Sequence, residues 1–387
     1  MVFLQKKLHF FLTLAVITTT LTPFLNFNSL LIIAIVICRL FDGKPRQNIR
    51  AAIYDKYFLA WIAIFLLECA GLFYTNHFFT AWKYVESKAT LIAIPFLICS
   101  GPFADESTRD KLFASICVIL TLLSSWCLLL AGIEYHHTAD HFVFFYHHLT
   151  RPLEQNAVFF SAYIICALIW LLAKRKRSIM IPFFIGMIIL LDSKLTIFFT
   201  FSTIAVYILP RLQRKWLIPH SISLLLLISI LAFTTNPIQI RYRQILPPYT
   251  VYNGVTLRLL IWRSAPAILD EHKAWIAGVT AGESQQYLDE KLTAAGCAKF
   301  RSYNFHNEFI AIGVRSGAIG LTVFLLFCAT MIGLARKAAT KEAWLTVILF
   351  LLLALTESML EMQQAAFFSC FFILLHHRNA RHAPLVV

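Results

Sequence analysis

The chain has 387 residues, of which 59% are hydrophobic and only 14% charged, against about a quarter charged in an ordinary soluble domain. Apolar runs recur from residue 8 to residue 376 with short polar interruptions, so a water-soluble globule is excluded and lipid is the expected solvent for most of the chain. The net charge of +14 would suggest nucleic acid in a soluble protein, but the basic residues cluster in short loops between apolar runs, and no nucleic-acid partner is expected.

In chain order, hydropathy predicts twelve spans, over 8–23, 28–41, 57–74, 86–100, 112–132, 156–173, 178–192, 195–209, 217–234, 317–335, 342–360 and 364–377. The first resembles a signal peptide, but no small-residue cleavage site follows, so a retained helix is expected. The second, seventh, eighth and twelfth are shorter than the ~20 residues that cross a bilayer as a straight helix. The fold class is thus all-α: a polytopic helical bundle with helices 1–9 in residues 1–234, a long loop or cap in 235–316, and helices 10–12 with a tail in 317–387.

Lys and Arg are enriched in cytoplasmic loops, which orients the bundle. With both termini in the cytoplasm, the inside holds Lys6 and Lys7, the set from Arg39 to Lys56, Arg109 and Lys111, Lys174 to Arg177, Arg211 to Lys215, Arg336 to Lys341, and Arg378 and Arg381. The short outer loops keep only Lys83, Lys88, Arg151 and Lys194. The other nine basic residues lie in 235–316, a segment too long to count under the rule. The expected location is a bacterial inner membrane, with 235–316 on the periplasmic side.

Two outer segments are long enough to carry function. The first, 133–155, holds His136, His137, His141, His147 and His148. Adjacent residues on one chain point apart, and no helical His spacing fixes a tetrahedral site, so interface residues are a better reading than a metal centre. The second, 235–316, has turn chemistry at Pro247, Pro248 and Asn253-Gly254, then predicted helices over 256–270, 283–295 and 304–316, the last continuing into a span after Gly317. Eight of nine cysteines sit in apolar runs and only Cys297 in this loop, which excludes a disulfide framework. The absence of a Walker loop and of GxGxxG disfavours an ATP-driven machine.

The sequence TLRLLIW around Arg258 and YNFHNEFIAIGVRSGAIGL around His306 resembles the C-terminal half of the O-antigen ligase and polymerase superfamily of bacterial membrane proteins. There an Arg-x-x-x-Trp helix and a His-Asn followed by an apolar helix and Gly-x-x-Gly share one long periplasmic loop. LTESMLEMQQAAFF, from Leu355 to Phe368, and LLDSKLTIFF, from Leu190 to Phe199, look like two further outer turns of that superfamily. Lys194 stands where most members have arginine, which keeps the charge but loses the planar bidentate fork.

The resemblance implies transfer of a glycan from an undecaprenyl-pyrophosphate carrier to an acceptor hydroxyl, on lipid A core or another surface glycolipid, at the outer face of the inner membrane. Such a leaving group needs fixed cations more than a protonating acid. Arg258 is the expected clamp, with Lys194, Arg243 and Arg315 as further phosphate contacts. His306 is the expected base or orienting acceptor for the hydroxyl, with Asn307 or Glu308 beside it to orient the ring and Glu357 as a membrane-level acid at the substrate or paired with an outer cation. No cofactor, divalent metal or nucleotide sugar is expected. Polymerisation of lipid-linked repeat units uses the same carrier and stays open. Non-enzymatic polysaccharide transport is disfavoured, because charge at mid-span is rare apart from Glu68 and no internal repeat is present.

Overall fold

The computed structural model describes residues 2–41, 44–101, 103, 105–176, 178–211 and 254–376. The predicted ninth span, 217–234, the first part of the long loop with Pro247, Pro248 and Arg243, and the basic residues Arg214, Lys215, Arg378 and Arg381 lie outside them. The described residues are helical and contain no strand. Every predicted span that falls on them overlaps a helix, although 342–360 runs six residues past the end of Lys341–Ala354.

Among the described residues, three helices are long and apolar enough to cross a bilayer: Lys56–Phe73, Glu106–Thr138 and Glu308–Ala338. A fourth span results if Tyr146–Leu153 and Ala157–Ala173, bent by 81°, count as one. The other apolar helices are shorter, such as Met180–Leu190 and Gln363–Leu375. Three or four spans by length and composition therefore stand among the described residues, on which eleven of the twelve expected spans fall. The shortfall has a physical origin, since 11 residues at 1.5 Å rise reach only about half of a ~30 Å hydrocarbon layer.

By packing, the chain forms two compact units: Met1–Ile119 with Arg258–Val387, and Leu120–Leu257. This division follows contacts, whereas the sequence division at 234 and 316 follows the loop.

The first unit holds α1 (Val2–Thr20), α2 (Leu25–Leu40), α3 (Pro45–Ile53), α4 (Lys56–Ala70), α5 (Phe78–Ser87), α6 (Thr90–Ser100) and the start of α7 (Glu106–Thr138). Its helices α4, α6 and α2 pack side by side. Asp55 starts α4 by accepting the N–H groups of Tyr57 and Phe58, which satisfies two of the four orphan donors at a helix start. Inside the apolar bundle Asn28 of α2 donates to Val16 O at 2.8 Å and to Thr20 Oγ1 at 2.7 Å on α1, and its oxygen receives Gln363 Nε2 at 2.7 Å. Polar groups with no water nearby must find each other in this way. Phe11, Leu30 and Leu326 turn outward, well exposed on the protein surface, as lipid-facing residues do.

The second unit holds the rest of α7, then α8 (Tyr146–Thr150), α9 (Ala157–Ala173), α10 (Met180–Leu190) and α11 (Lys194–Ile208). Helix α9 packs on α8, α10 and α11 and is buried on nearly every residue, as a helix apolar all round should be. Of the histidines in its outer segment, His147 accepts the N–H of Ala157 at 3.2 Å, serving the start of α9, and His141 lies against the Tyr135 ring.

The first unit resumes with α12 (Gly254–Glu271), α13 (Thr280–Ala294), α14 (Glu308–Ala338), α15 (Lys341–Ala354) and α16 (Gln363–Leu375). The predicted helices at 256–270, 283–295 and 304–316 correspond to α12, α13 and the first turns of α14. Helix α14 packs on α4, α13 and α15, and Trp61, Phe324, Phe327 and Phe350 form the aromatic core between α4, α14 and α15.

Helix α14 is broken at Gly317, where φ is 60° and ψ −157°. A break exposes the N–H groups that begin the second half, and the segment 274–279 caps them. Ala318 N donates to Trp275 O at 2.8 Å and Ile319 N to Ile276 O at 3.2 Å, while Val279 N donates to Val314 O at 2.9 Å. This backbone-to-backbone approach requires two glycines. A Cβ on Gly317 would stand 2.3 Å from Ile276 O, and one on Gly278 would stand 2.3 Å from Arg315 O.

Candidate functional site

Arg258 and Trp262 lie one helical turn apart on α12 and therefore share a face. Arg258 Nη2 meets Glu357 Oε1 at 2.5 Å. Trp262 Nε1 donates to Phe305 O at 2.9 Å. The Arg-x-x-x-Trp spacing thus fastens one helix face to two loops at once, the 303–307 loop before α14 and the 355–362 turn between α15 and α16.

The other carboxylate oxygen of Glu357 lies 3.1 Å from His306 Nδ1. An ionised carboxylate only accepts, so against it the imidazole donates from Nδ1, and in the neutral ring the lone pair is then the one on Nε2. His306 makes no hydrogen bond through Nε2 among the described residues. Its backbone is left-handed, with φ 48°, and its N–H donates to Asn304 Oδ1 at 3.0 Å. That local bond from an Asn side chain supports a turn that is otherwise unfavourable for a non-glycine residue. The ring is 22% exposed and Arg258 30%, whereas the Glu357 between them is 5% exposed. A buried acid thus presents a cation and an imidazole to the outside.

Asn307 and Glu308 do not orient the imidazole, contrary to the expectation from their adjacency. Asn307 caps α14, its Oδ1 accepting Ile310 N at 3.1 Å, and its Nδ2 donates to Leu355 O at 3.0 Å. It therefore ties the His306 loop to the Glu357 turn. Glu308 points the other way, into a second cluster.

That second cluster surrounds Arg315, which is 2% exposed. Its Nη2 meets Glu68 Oε1 at 3.2 Å and Glu308 Oε1 at 3.3 Å, and its Nη1 pairs with Glu361. The guanidinium carbon lies 5.0 Å from the centre of the Tyr84 ring. Glu308 Oε2 accepts Leu360 N at 2.7 Å, and buried Lys88 donates to Leu360 O with its ammonium over the same Tyr84 ring. The peptide of Leu360 is therefore held from both sides, three residues after Glu357. Arg315 is an expected phosphate contact, yet its charge is already met by three carboxylates and shielded from solvent. Lys88 and Tyr84 escaped sequence reasoning because Lys88 reads as a solvated loop residue. The signal that could have found them is the charge balance, since acids at membrane depth, Glu68 and Glu361, require cationic partners.

The remaining expected contacts stand elsewhere. Lys194 opens α11 in the second unit behind Ser193 and is exposed. Arg243 lies outside the described residues. Beside α13 of the first unit runs an open groove of about 720 Å³, lined by His77, Thr80, Gln285, Asp289, Thr293 and Arg301 among others. Gln285 Nε2 donates to Asp289 Oδ1 at 2.8 Å and to Tyr303 O at 3.1 Å, and the Tyr303 ring meets the His306 ring edge to face at 5.9 Å. Among the described residues no group of three or more His, Cys, Asp or Glu side chains could hold a metal ion.

Geometrically the site is an imidazole on a stapled loop, held by an acid, next to a guanidinium on helix α12, both partly exposed. Such a set can take a proton from a hydroxyl and hold an anion beside it. No protein-family model and no curated protein matches the chain.

Proposed function

We propose that the protein is a membrane-embedded glycosyltransferase of the O-antigen ligase type, which moves a glycan from an undecaprenyl-pyrophosphate carrier to an acceptor hydroxyl on lipid A core or another surface glycolipid. The observation that carries the reading is the contact of His306 and Arg258 with the two oxygens of one buried carboxylate, Glu357. In this reading the acceptor oxygen attacks the anomeric carbon, its proton passes to His306 Nε2, and the carbon–oxygen bond to the carrier breaks with its electron pair leaving on the pyrophosphate. Glu357 holds the imidazole in the tautomer that accepts and stabilises the imidazolium that forms, the role a carboxylate has behind a catalytic histidine. Arg258 spends one N–H on Glu357 and has others for phosphate oxygens. The groove beside α13, linked to His306 through Gln285 and Tyr303, offers mixed apolar and hydrogen-bonding side chains, the combination a sugar ring can stack on and bond to.

The proposed topology is twelve spans with both termini in the cytoplasm of a bacterial inner membrane and the site at the periplasmic face. The short apolar helices then cross by extending into their flanks or by sheltering among neighbours.

The test is transfer by purified protein, incubated with carrier-linked glycans and candidate acceptors without nucleotide or metal, the product being identified by mass. The expected product is the acceptor enlarged by the glycan. A carrier-linked chain lengthened by further repeat units would instead identify a polymerase, and no glycan transfer with any pair would overturn the reading.

A further inference from the structure

Helix α4 and the second half of α14 pack against each other, and each supplies its own measure of a bilayer. The span Lys56–Phe73 has 18 residues, which at 1.5 Å each reach about 27 Å. From Ala318 to Ala338 the chain rises by a similar amount, on the order of 30 Å, close to one hydrocarbon thickness. The two lengths end together. Tyr74, just past Phe73, donates through its hydroxyl to Ala277 O at 2.6 Å, in the same segment whose carbonyls cap Ala318 and Ile319. Glu283 of α13 adds a second tie, accepting Asn76 N at 2.5 Å and the Thr75 hydroxyl at 2.9 Å.

At this shared end the surface is apolar and aromatic. Phe73 is 91% exposed, Phe79 81% and Ile276 71%, with Phe78, Trp82 and Trp275 about half exposed. Helix α5 explains part of this. Its Ala81 and Val85 are buried, so the stacked pair Phe78 and Trp82 is turned outward with exposed Lys83 beside it. Large aromatic residues in such number on a water-facing surface are unfavourable. Trp, Tyr and Lys in one band are the side chains that favour the headgroup level of a bilayer, where an apolar ring and a polar tip are both satisfied.

We infer that the band formed by residues 73–82 and by Trp275 and Ile276 sits in the headgroup and upper acyl zone of the lipid leaflet opposite the Lys56 end of α4, and fixes the depth of the first unit in the membrane. The partner is the bilayer surface itself. A second copy of the chain is disfavoured because the band continues directly from two span ends that lipid must surround in any case. This placement does not depend on the reaction proposed above and holds or fails without it.

The test uses full-length protein in lipid nanodiscs holding one copy each, with nitroxide-labelled phospholipids carrying the probe near the ester carbonyls or near the chain ends. The fluorescence of Trp82 and Trp275 is obtained as the difference between the unmodified protein and Trp82→Phe or Trp275→Phe, each variant first shown to keep the parent's unfolding midpoint. Rings about 5–10 Å below the headgroups are quenched by the shallow probe roughly twofold or more strongly than by the deep one, with weak quenching by aqueous acrylamide. Stronger quenching by the deep probe, or quenching by acrylamide without response to either lipid probe, would overturn the inference. So would a signal insensitive to all three, which marks a covered protein surface.

Discussion

Arg258 and Arg315 make the same kind of contact, a guanidinium on glutamate, yet their surroundings assign them different work. Arg258 shares a single acid with His306 and remains 30% exposed. Arg315 is enclosed by Glu68, Glu308 and Glu361 and has almost no exposed surface. A cation with one partner and an open side can still receive an anion. A cation with three partners in a sealed site acts as a fastening whose removal leaves buried charge uncompensated. The difference teaches that residue type and loop membership do not separate a ligand-binding arginine from a structural one, whereas partners and exposure do.

The largest expected effect breaks the closed half of this comparison. Arg315→Met should leave three glutamates with only Lys88 to balance them and cost about 3–5 kcal/mol, read as a lower unfolding midpoint in detergent and a poor yield of monodisperse protein. An unchanged midpoint would mean that the cluster is not a fastening. Next come His306→Ala and Arg258→Ala, each expected to lower transfer by roughly 100-fold or more while the unfolding midpoint stays near that of the parent. Retained transfer in either variant at normal protein level removes that residue from the mechanism. Glu357→Gln keeps the shape but removes the charge that the two residues share, and should reduce transfer by about 10–100-fold. If Glu357→Gln is fully active, the imidazole does not need its acid. The smallest effect sharpens the comparison at its edge. Trp262→Phe removes only the bond to Phe305 O and should cost about 1 kcal/mol of stability with a modest loss of transfer, measured in the same two assays.

Much of the helical framework was legible in the sequence, because a run such as Ala157–Ala173 has no other way to satisfy its backbone in lipid. The span count asks for more than the same signal, since hydropathy measures composition while crossing also requires length. Helix α10, with 11 residues, illustrates the gap. The motif context singled out Arg258 and His306 as candidates, and the structure brings both onto one acid, Glu357, that the sequence assigned only loosely. Glu357 lies 51 residues beyond His306, and no local pattern announces a contact across that distance. For the same reason, neighbours in sequence proved misleading at Glu308, whose position one residue after Asn307 places it on the far side of the helix start.

The strap at residues 274–279 has an implication for tolerance to change. Its bonds to the broken helix run between main-chain atoms, so they ignore most side-chain identities. Saturation mutagenesis should therefore find two intolerant columns, at Gly278 and Gly317, while the exposed strap positions 275–277 absorb substitution readily. A distant relative would be recognised by this pair of glycines and their separation, even where the other letters of the strap have drifted.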